Sequence, residues 1–217
     1  MGFWDTYGIT PENMNLLGPL VDGIVGTNGE YQDLYEAMVD PAGPLWKKVI
    51  VTTGCTMSQD VTLTSGYAGG CIVSPGGVIN IGAKKLTIGC DDFMLRNVAI
   101  GSTTGDSLVL TEDRTYLHNV SILSSGGIGI KIEVSGGGGN HRIEQCLIYN
   151  SAGDGVEIAN PSWVTMIGCR IQANGGYGVD DNNASTTFTI FVANIITGNS
   201  SGQLDSVSTL VAANKTS

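Results

Sequence analysis

Asn119–Ile132 reads NVSILSSGGIGIKI, Gln145–Ile158 reads QCLIYNSAGDGVEI, and Gly168–Asp181 reads GCRIQANGGYGVDD. Laid over one another, these stretches place isoleucine at Ile122, Ile148 and Ile171, and an aliphatic residue eight positions later at Ile130, Val156 and Val179. The pattern extends upstream to Ile100 with Leu108 and downstream to Ile196. Successive isoleucines lie 22, 26, 23 and 25 residues apart. A repeat of that length, made of short β-rich pieces and glycine-rich corners, signals a solenoid.

Working outward, short β pieces alternate with turns from Val49 onward. They are VIV (49–51), VTLT (61–64), VINI (78–81), LTI (86–88), FMLRNVAI (93–100), SLVL (107–110) and RTYLHNVSI (114–122). GIKI (129–132), HRIEQCLI (141–148), GVEI (155–158), WVTMIGCRI (163–171), YGVDD (177–181) and TFTIFVANII (187–196) follow. Gly, Ser, Asn and Asp fill the corners, as turn chemistry requires. No long helical period separates the pieces, and two-residue Asn-Gly hairpin signals are scarce, so a βαβ fold and an antiparallel meander are both disfavoured.

A parallel coil explains the spacing: each turn supplies three short strands, and each strand pairs with its copy one turn away. Val98, Val120, Cys146 and Cys169 then stack inward, beside Ile100, Ile122, Ile148, Ile171 and Ile196. A second wall stacks Leu108, Ile130, Val156 and Val179, continued by Leu110, Ile132 and Ile158. Alternation sends Ala99, Ser121, Leu147 and Arg170 outward on one face, and Val109, Lys131, Glu157 and Asp180 outward on another. The run Gly136–Gly139 reads as a corner loop bulging from the coil, and turns before about residue 90 have a looser register. About six turns would stand about 30 Å tall.

The chain divides into an N-terminal docking segment and capping helix (1–46), the β-coil (47–200) and a C-terminal tail or cap (201–217). Thr10-Pro11-Glu12 reads as N-cap, N1 proline and first-turn acid of a short helix, stopped by Gly18-Pro19. Tyr31, Leu34, Tyr35 and Met38 follow helical spacing up to Asp40-Pro41.

In composition, 41% hydrophobic residues exclude general disorder. A net charge of -10 opposes nucleic-acid binding, which needs basic patches. No run of about 18 apolar residues is present, so no membrane span is expected. MGFWDTYGITPEN lacks the basic and apolar regions of a secretory signal. Cys55, Cys71, Cys90, Cys146 and Cys169 are odd in number and form no CxxC, so they read as free, buried thiols in a reducing compartment, with neither disulfide framework nor zinc site.

GEYQDLYEAM, KVIVTTGCTM and VTLTSG, followed by the three stretches quoted first, resemble right-handed parallel β-helix proteins of the pectate-lyase-like type over roughly residues 28–200. The resemblance implies an all-β fold: a right-handed parallel β-helix solenoid with a short N-terminal helical or irregular segment. It bears weakly on activity, because the fold carries polysaccharide lyases, galacturonases, epimerases and phage tailspikes.

Galacturonase-like hydrolases use N-x-D, D-D, G-H-G and R-x-K motifs, with two carboxylates dividing acid and base work. Here Asp180-Asp181 supplies the pair, Asp154 and Glu157 lie one turn earlier, and G-H-G and R-x-K are missing; His118 and His141 are not at equivalent positions. Lys131, Glu157 and Asp180 read as an outward charge column with one ion pair between turns. Lyases of this fold need calcium held by several acids, and the Asp154, Glu157, Asp180 and Asp181 group is the one candidate for a weak ion. Asp181, sharing the register of inward Ile132 and Ile158, reads equally as the cap of that ladder. Tyr149, Trp163 and Tyr177 come from adjacent turns and could form a sugar platform or an interface anchor. The sequons at Asn119, Asn183, Asn199 and Asn214 are formal matches.

The sequence expectation is therefore a virion structural protein in preference to an enzyme: a trimeric capsid decoration, cement or spike protein. It would be assembled in the host cytoplasm, partnered with itself and with a major capsid or tail protein through residues 1–28, with a host glycan as a further partner. No catalytic residue, metal or cofactor is assigned. The alternatives are a polysaccharide lyase or hydrolase using Asp154, Glu157, Asp180 and Asp181, and a glycan-binding adhesin using Tyr149, Trp163 and Tyr177.

Overall fold

The computed structural model describes residues 22–216 apart from 28, 76–78, 102, 135–138, 161, 182–187, 207–208 and 213–214. The expected helix after Thr10, Gly136–Gly138 of the expected bulge, and the sequons at Asn183 and Asn214 lie outside the described residues.

The elements are β1 (Gly23–Val25), α1 (Leu34–Met38), β2 (Lys48–Val51), β3 (Val61–Leu63), β4 (Cys71–Val73), β5 (Ile79–Asn80) and β6 (Leu86–Ile88). The next are β7 (Met94–Arg96), β8 (Val98–Gly101), β9 (Leu108–Leu110), β10 (Tyr116–His118), β11 (Ser121–Leu123), β12 (Ile130–Ile132), β13 (Gly139–Glu144), β14 (Leu147–Tyr149) and β15 (Val156–Ile158). The last are β16 (Ser162–Ile167), β17 (Arg170–Gln172), β18 (Tyr177–Asp181), β19 (Phe188–Val192), β20 (Ile195–Thr197), β21 (Gly202–Ser206), β22 (Thr209–Ala212) and β23 (Lys215–Thr216). They form three sheets: sheet 1 in the order β1-β2-β4-β7-β10-β13-β16-β19-β22, sheet 2 in the order β5-β8-β11-β14-β17-β20-β23, and sheet 3 in the order β3-β6-β9-β12-β15-β18-β21. Every pairing between described strands is parallel and joins a strand to its copy one turn away. This is a parallel β-solenoid of about seven turns, one more than expected, and about 34 Å tall at 4.8 Å per turn.

The extra height lies at the ends. β1 pairs with β2 through Gly23, Ile24 and Val25, ahead of the expected boundary at residue 47. β21, β22 and β23 extend the ladders beyond residue 200. The segments expected as separate cap and tail therefore carry strands of the coil.

The long β pieces bend. FMLRNVAI, RTYLHNVSI, HRIEQCLI, WVTMIGCRI and TFTIFVANII each split into a sheet 1 strand and a sheet 2 strand. The break falls at a left-handed residue: Asn97, Asn119, Gln145, Gly168 or Ala193, with φ between 52° and 65°. Asparagine and glycine suit that conformation. The Asn119 amide donates to Asn97 Oδ1 (2.9 Å), and the Asn97 amide to the Ser74 carbonyl (2.7 Å), so this corner is tied between turns. The strand CIV at 71–73, flanked by glycines and a half-exposed cysteine, carries no alternation that marked it in the sequence.

The expected inward columns form. Val98, Val120, Cys146, Cys169 and Asn194 stack beside Ile100, Ile122, Ile148, Ile171 and Ile196, with Leu108, Ile130, Val156 and Val179 opposite, all at most 1% exposed. The register places each outward set on one face, where Leu147, Arg170, Lys131, Glu157 and Asp180 reach solvent while Ala99, Val109 and Ser121 are buried.

At the N-terminal end α1 covers the core. Leu34, Ala37 and Met38 are fully buried against Val25, Val49 and Val51. The Asp33 carboxylate fixes the helix to the first turn: Oδ1 accepts from the N–H of Tyr35 (2.9 Å) and Glu36, and Oδ2 from Thr56 Oγ1 (2.9 Å) and the Ser58 N–H (2.7 Å). An aspartate N-cap satisfies N–H groups that a helix start otherwise leaves unpaired. Trp46 lies edge-on to Tyr31 at 5.3 Å and fills the space where Gly23 would carry a Cβ.

The corner from sheet 2 to sheet 3 explains the G-x-G of the quoted stretches. Thr103, Ser125, Ser151, Asn174 and Asn199 form a buried polar column. Asn174 Oδ1 accepts from the Ser151 N–H (2.9 Å), and Asn199 Oδ1 accepts from the Asn174 N–H (3.0 Å) and Nδ2 (2.8 Å). Gly129, Gly155 and Gly178 lie against this column: a Cβ on Gly155 would stand 2.5 Å from Ile171 Cγ2 and 2.7 Å from Asn174 Nδ2. The ladder thus needs both the amide and the bare glycine beside it.

Candidate functional site

The four acids of the enzyme reading point in three directions. Asp181 is inward and fully buried, and Thr189 Oγ1 donates to it at 2.8 Å. Asp154 serves the backbone: its Oδ1 accepts the N–H of Tyr177 in the next turn. Asp60 and Asp106 do the same one and two positions before β3 and β9, accepting from the N–H of Lys85 (3.0 Å) and Ile128 (2.8 Å). These three aspartates are cross-turn staples at the start of sheet 3. The signal was in the sequence, since an aspartate preceding a sheet 3 strand recurs in TTGDSLVL and SAGDGVEI.

Glu157 and Asp180 alone share the outward face of sheet 3, and the register adds Asp205, which the sequence reading missed. Burial raises the Glu157 pKa; Lys131 opposes the rise, and Asp154, Asp180 and Asp106 add to it. Burial also raises Asp154, offset by the Tyr177 N–H. The ion pair expected between turns does not form: Lys131 Nζ pairs at 2.8 Å with Glu133 Oε2 on its own turn, because both residues leave the strand on one side, two positions apart. Among the described residues no group of three or more His, Cys, Asp or Glu is placed to hold a metal ion.

The three aromatics stand on three sheets: Trp163 on β16, Tyr149 on β14 and Tyr177 on β18. They do not form one platform. The sequon residue Asn199 is buried and bonded within the corner ladder, and the Asn119 amide is engaged with Asn97. The cysteines are unbridged. Burial pushes the Cys55 thiol up to about 12 and Cys90 to about 11, which keeps both protonated and unreactive.

Two shallow troughs follow the corner from sheet 2 to sheet 3. One, of about 600 Å³, is lined among others by Ser58, Asp60, Lys84, Lys85, Thr104 and Asp106. The other, of about 490 Å³, is lined among others by Ser124, Asn150, Ser151, Ala173, Gly175 and Ser200. The acids of the first, Asp60 and Asp106, are backbone staples, the lining of the second carries none, and neither trough includes Glu157 or Asp180.

The strongest outward feature is apolar. On sheet 1 the early turns present Arg96, His118, Arg142 and Glu144 to solvent, with Arg142 paired to Glu144 and the Tyr116 hydroxyl donating to it. From Glu144 the same outward column runs on to Ile167 one turn later and Val192 two turns later, and from Arg142 it runs through Thr165 to Ile190, with Trp163 beside them. Trp163 is 56% exposed and Ile190 40%; around the corner on sheet 2, Ile195 is 42% and Tyr149 40% exposed. β19 reads FTIFV, with Ile190 and Val192 outward and Phe191 buried inward. A strand apolar on both faces is the pattern of a strand covered on both faces.

In comparison with known proteins, the family described as "Right handed beta helix region" matches residues 61–215. No curated protein and no solved structure matches.

Proposed function

Since the chain belongs to the right-handed β-helix family, whose fold leaves activity open, we propose that it is a structural protein that self-associates side by side through the outward face of β16, β19 and β20. The observation that carries this reading is the apolar surface of Trp163, Ile167, Ile190 and Val192, continued around the corner by Ile195. Contiguous exposed apolar surface of this kind marks an association site. In a trimer with its axis parallel to the coil, turns of equal height meet, so apolar turns face apolar turns and charged turns face charged ones. The role that fits is a decoration, cement or spike protein of a virion, gripping the particle through its N-terminal segment, residues 1–28. Avidity over repeated sites would hold such a shell component in place.

The alternatives have less support. A hydrolase or lyase needs converging acids, whereas Asp154 staples backbone and Asp181 is buried. An adhesin built on Tyr149, Trp163 and Tyr177 would have to bind around three faces.

Sedimentation of the wild type beside an Ile190→Asp, Ile195→Asp double variant tests the reading. Assembly of the wild type and a folded, monomeric variant is the expected pair of results. A variant that assembles as the wild type does removes this face from the interface.

A further inference from the structure

His141 occupies an inward position of β13. Gly139, His141 and Ile143 are buried, while Asn140 and Arg142 between them are exposed. The imidazole is fully buried, and neither Nδ1 nor Nε2 has a hydrogen-bond partner. Its neighbours along the stack are Thr115 on one side and Val164, then Thr189, on the other. Nε2 leans over Gly139, reaching within 2.5 Å of where a Cβ would stand. The register partner of Gly139 is Ser162, and Ser162 Oγ and Thr115 Oγ1 are likewise buried without a partner. The interior therefore holds three unpartnered polar side chains in adjacent turns.

The ionisable groups on the surrounding strands face away. Tyr116 and His118 on β10, Arg142 and Glu144 on β13, and Lys131 and Glu133 on and after β12 are outward. β16 carries no acidic or basic residue. On β18 Asp180 is outward, and Asp181 is the interior carboxyl, engaged with Thr189. Cys146 and Cys169 lie inward beyond Ile143, near the corner to sheet 2. A neutral imidazole can remain in this space, but an imidazolium must place two N–H donors and a charge there.

We propose that His141 makes the middle of the solenoid acid-labile: protonation of its ring weakens the stack of β10, β13 and β16. Burial lowers its pKa from 6.5 to about 4. Between those values the unfolded chain takes up a proton that the folded chain refuses. Stability therefore falls as pH falls from 6.5 towards 4, and the loss is complete below about 4. The separation corresponds to about 30-fold in the folding equilibrium at pH 5 and about 300-fold at the limit.

The test is urea unfolding from pH 7.5 to 4.5 of the wild type, His141→Val and Asp181→Asn. Valine is the residue already present at Val164 in the same column. The gap between wild type and His141→Val should widen by about 30-fold in equilibrium constant between pH 7.5 and 5. Asp181→Asn should keep the wild-type component that His141→Val removes. Parallel pH profiles for wild type and His141→Val overturn the proposal. Hydrogen exchange on the wild type gives a reading independent of the variants. After correction for intrinsic rates, β13 and β16 should lose protection on acidification before β2 and β4; uniform loss contradicts the proposal.

Discussion

From β2 to β7 the interior is filled by Val49, Val51, Leu63, Ile72, Leu86, Ile88, Phe93 and Leu95, all fully buried. From β10 onward the same three sheets enclose His141, Ser162, Asn174, Asp181, Thr189 and Asn199 among their aliphatic residues. Thirteen of the sixteen buried polar residues described lie after residue 100. The early turns rely on apolar contact, which any side chain of the right size supplies. The later turns add corner ladders, in which every turn must present the right polar atom at the right height. The two halves should therefore fail differently when altered.

The largest loss belongs to the apolar half. Phe93→Ala removes a fully buried ring and should cost about 3–5 kcal/mol by chemical denaturation. A loss below about 1 kcal/mol would mean that early packing is not what holds that half. Next is the junction of cap and coil. Asp33→Ala strips the acceptor from four donors and should lose about 2–3 kcal/mol, with Asp33→Asn losing less. Exchange at α1 should rise first.

In the ladder half, Asn174→Leu keeps the volume but unpairs the Ser151 N–H and takes the amide donor from Asn199 Oδ1. A loss of about 1–3 kcal/mol in thermal or urea unfolding is expected. No loss would show the ladder to be incidental and would erase the contrast. The smallest effect lies outside the coil. Glu157→Gln relieves like charge against Asp180 and should stabilise by less than about 1 kcal/mol at neutral pH. A pronounced destabilisation would instead reveal a structural role for that carboxylate.

The same contrast explains what could be read from the sequence. The repeats from Ile100 to Ile196 were legible because an isoleucine and an aliphatic residue eight positions later recur around glycine-rich corners. The early turns repeat as regularly: Val49, Ile72 and Leu95 are register partners. They lack the corner residues, so their period is carried by aliphatic residues indistinguishable from their neighbours. The bend at Asn97 and Asn119 was hidden because a single left-handed residue leaves the apolar alternation unbroken on both sides. The acidic group was misjudged for a related reason. Sequence spacing placed Asp154 beside Glu157 and Asp180, but its bond to the Tyr177 N–H is a long-range fact, whereas the inward register of Asp181 was already legible from Ile132 and Ile158. The apolar outward face was present in WVTMI and TFTIFV, yet beyond Trp163 neither strand showed which residues faced out until the fold assigned their second face.

The native mass of the unaltered protein, measured by light scattering across a range of concentrations, tests the structural reading most directly. Side-by-side association through β16, β19 and β20 predicts a stable particle of about three times the 22.5 kDa chain mass. A single-chain mass that persists at the highest concentration would contradict it.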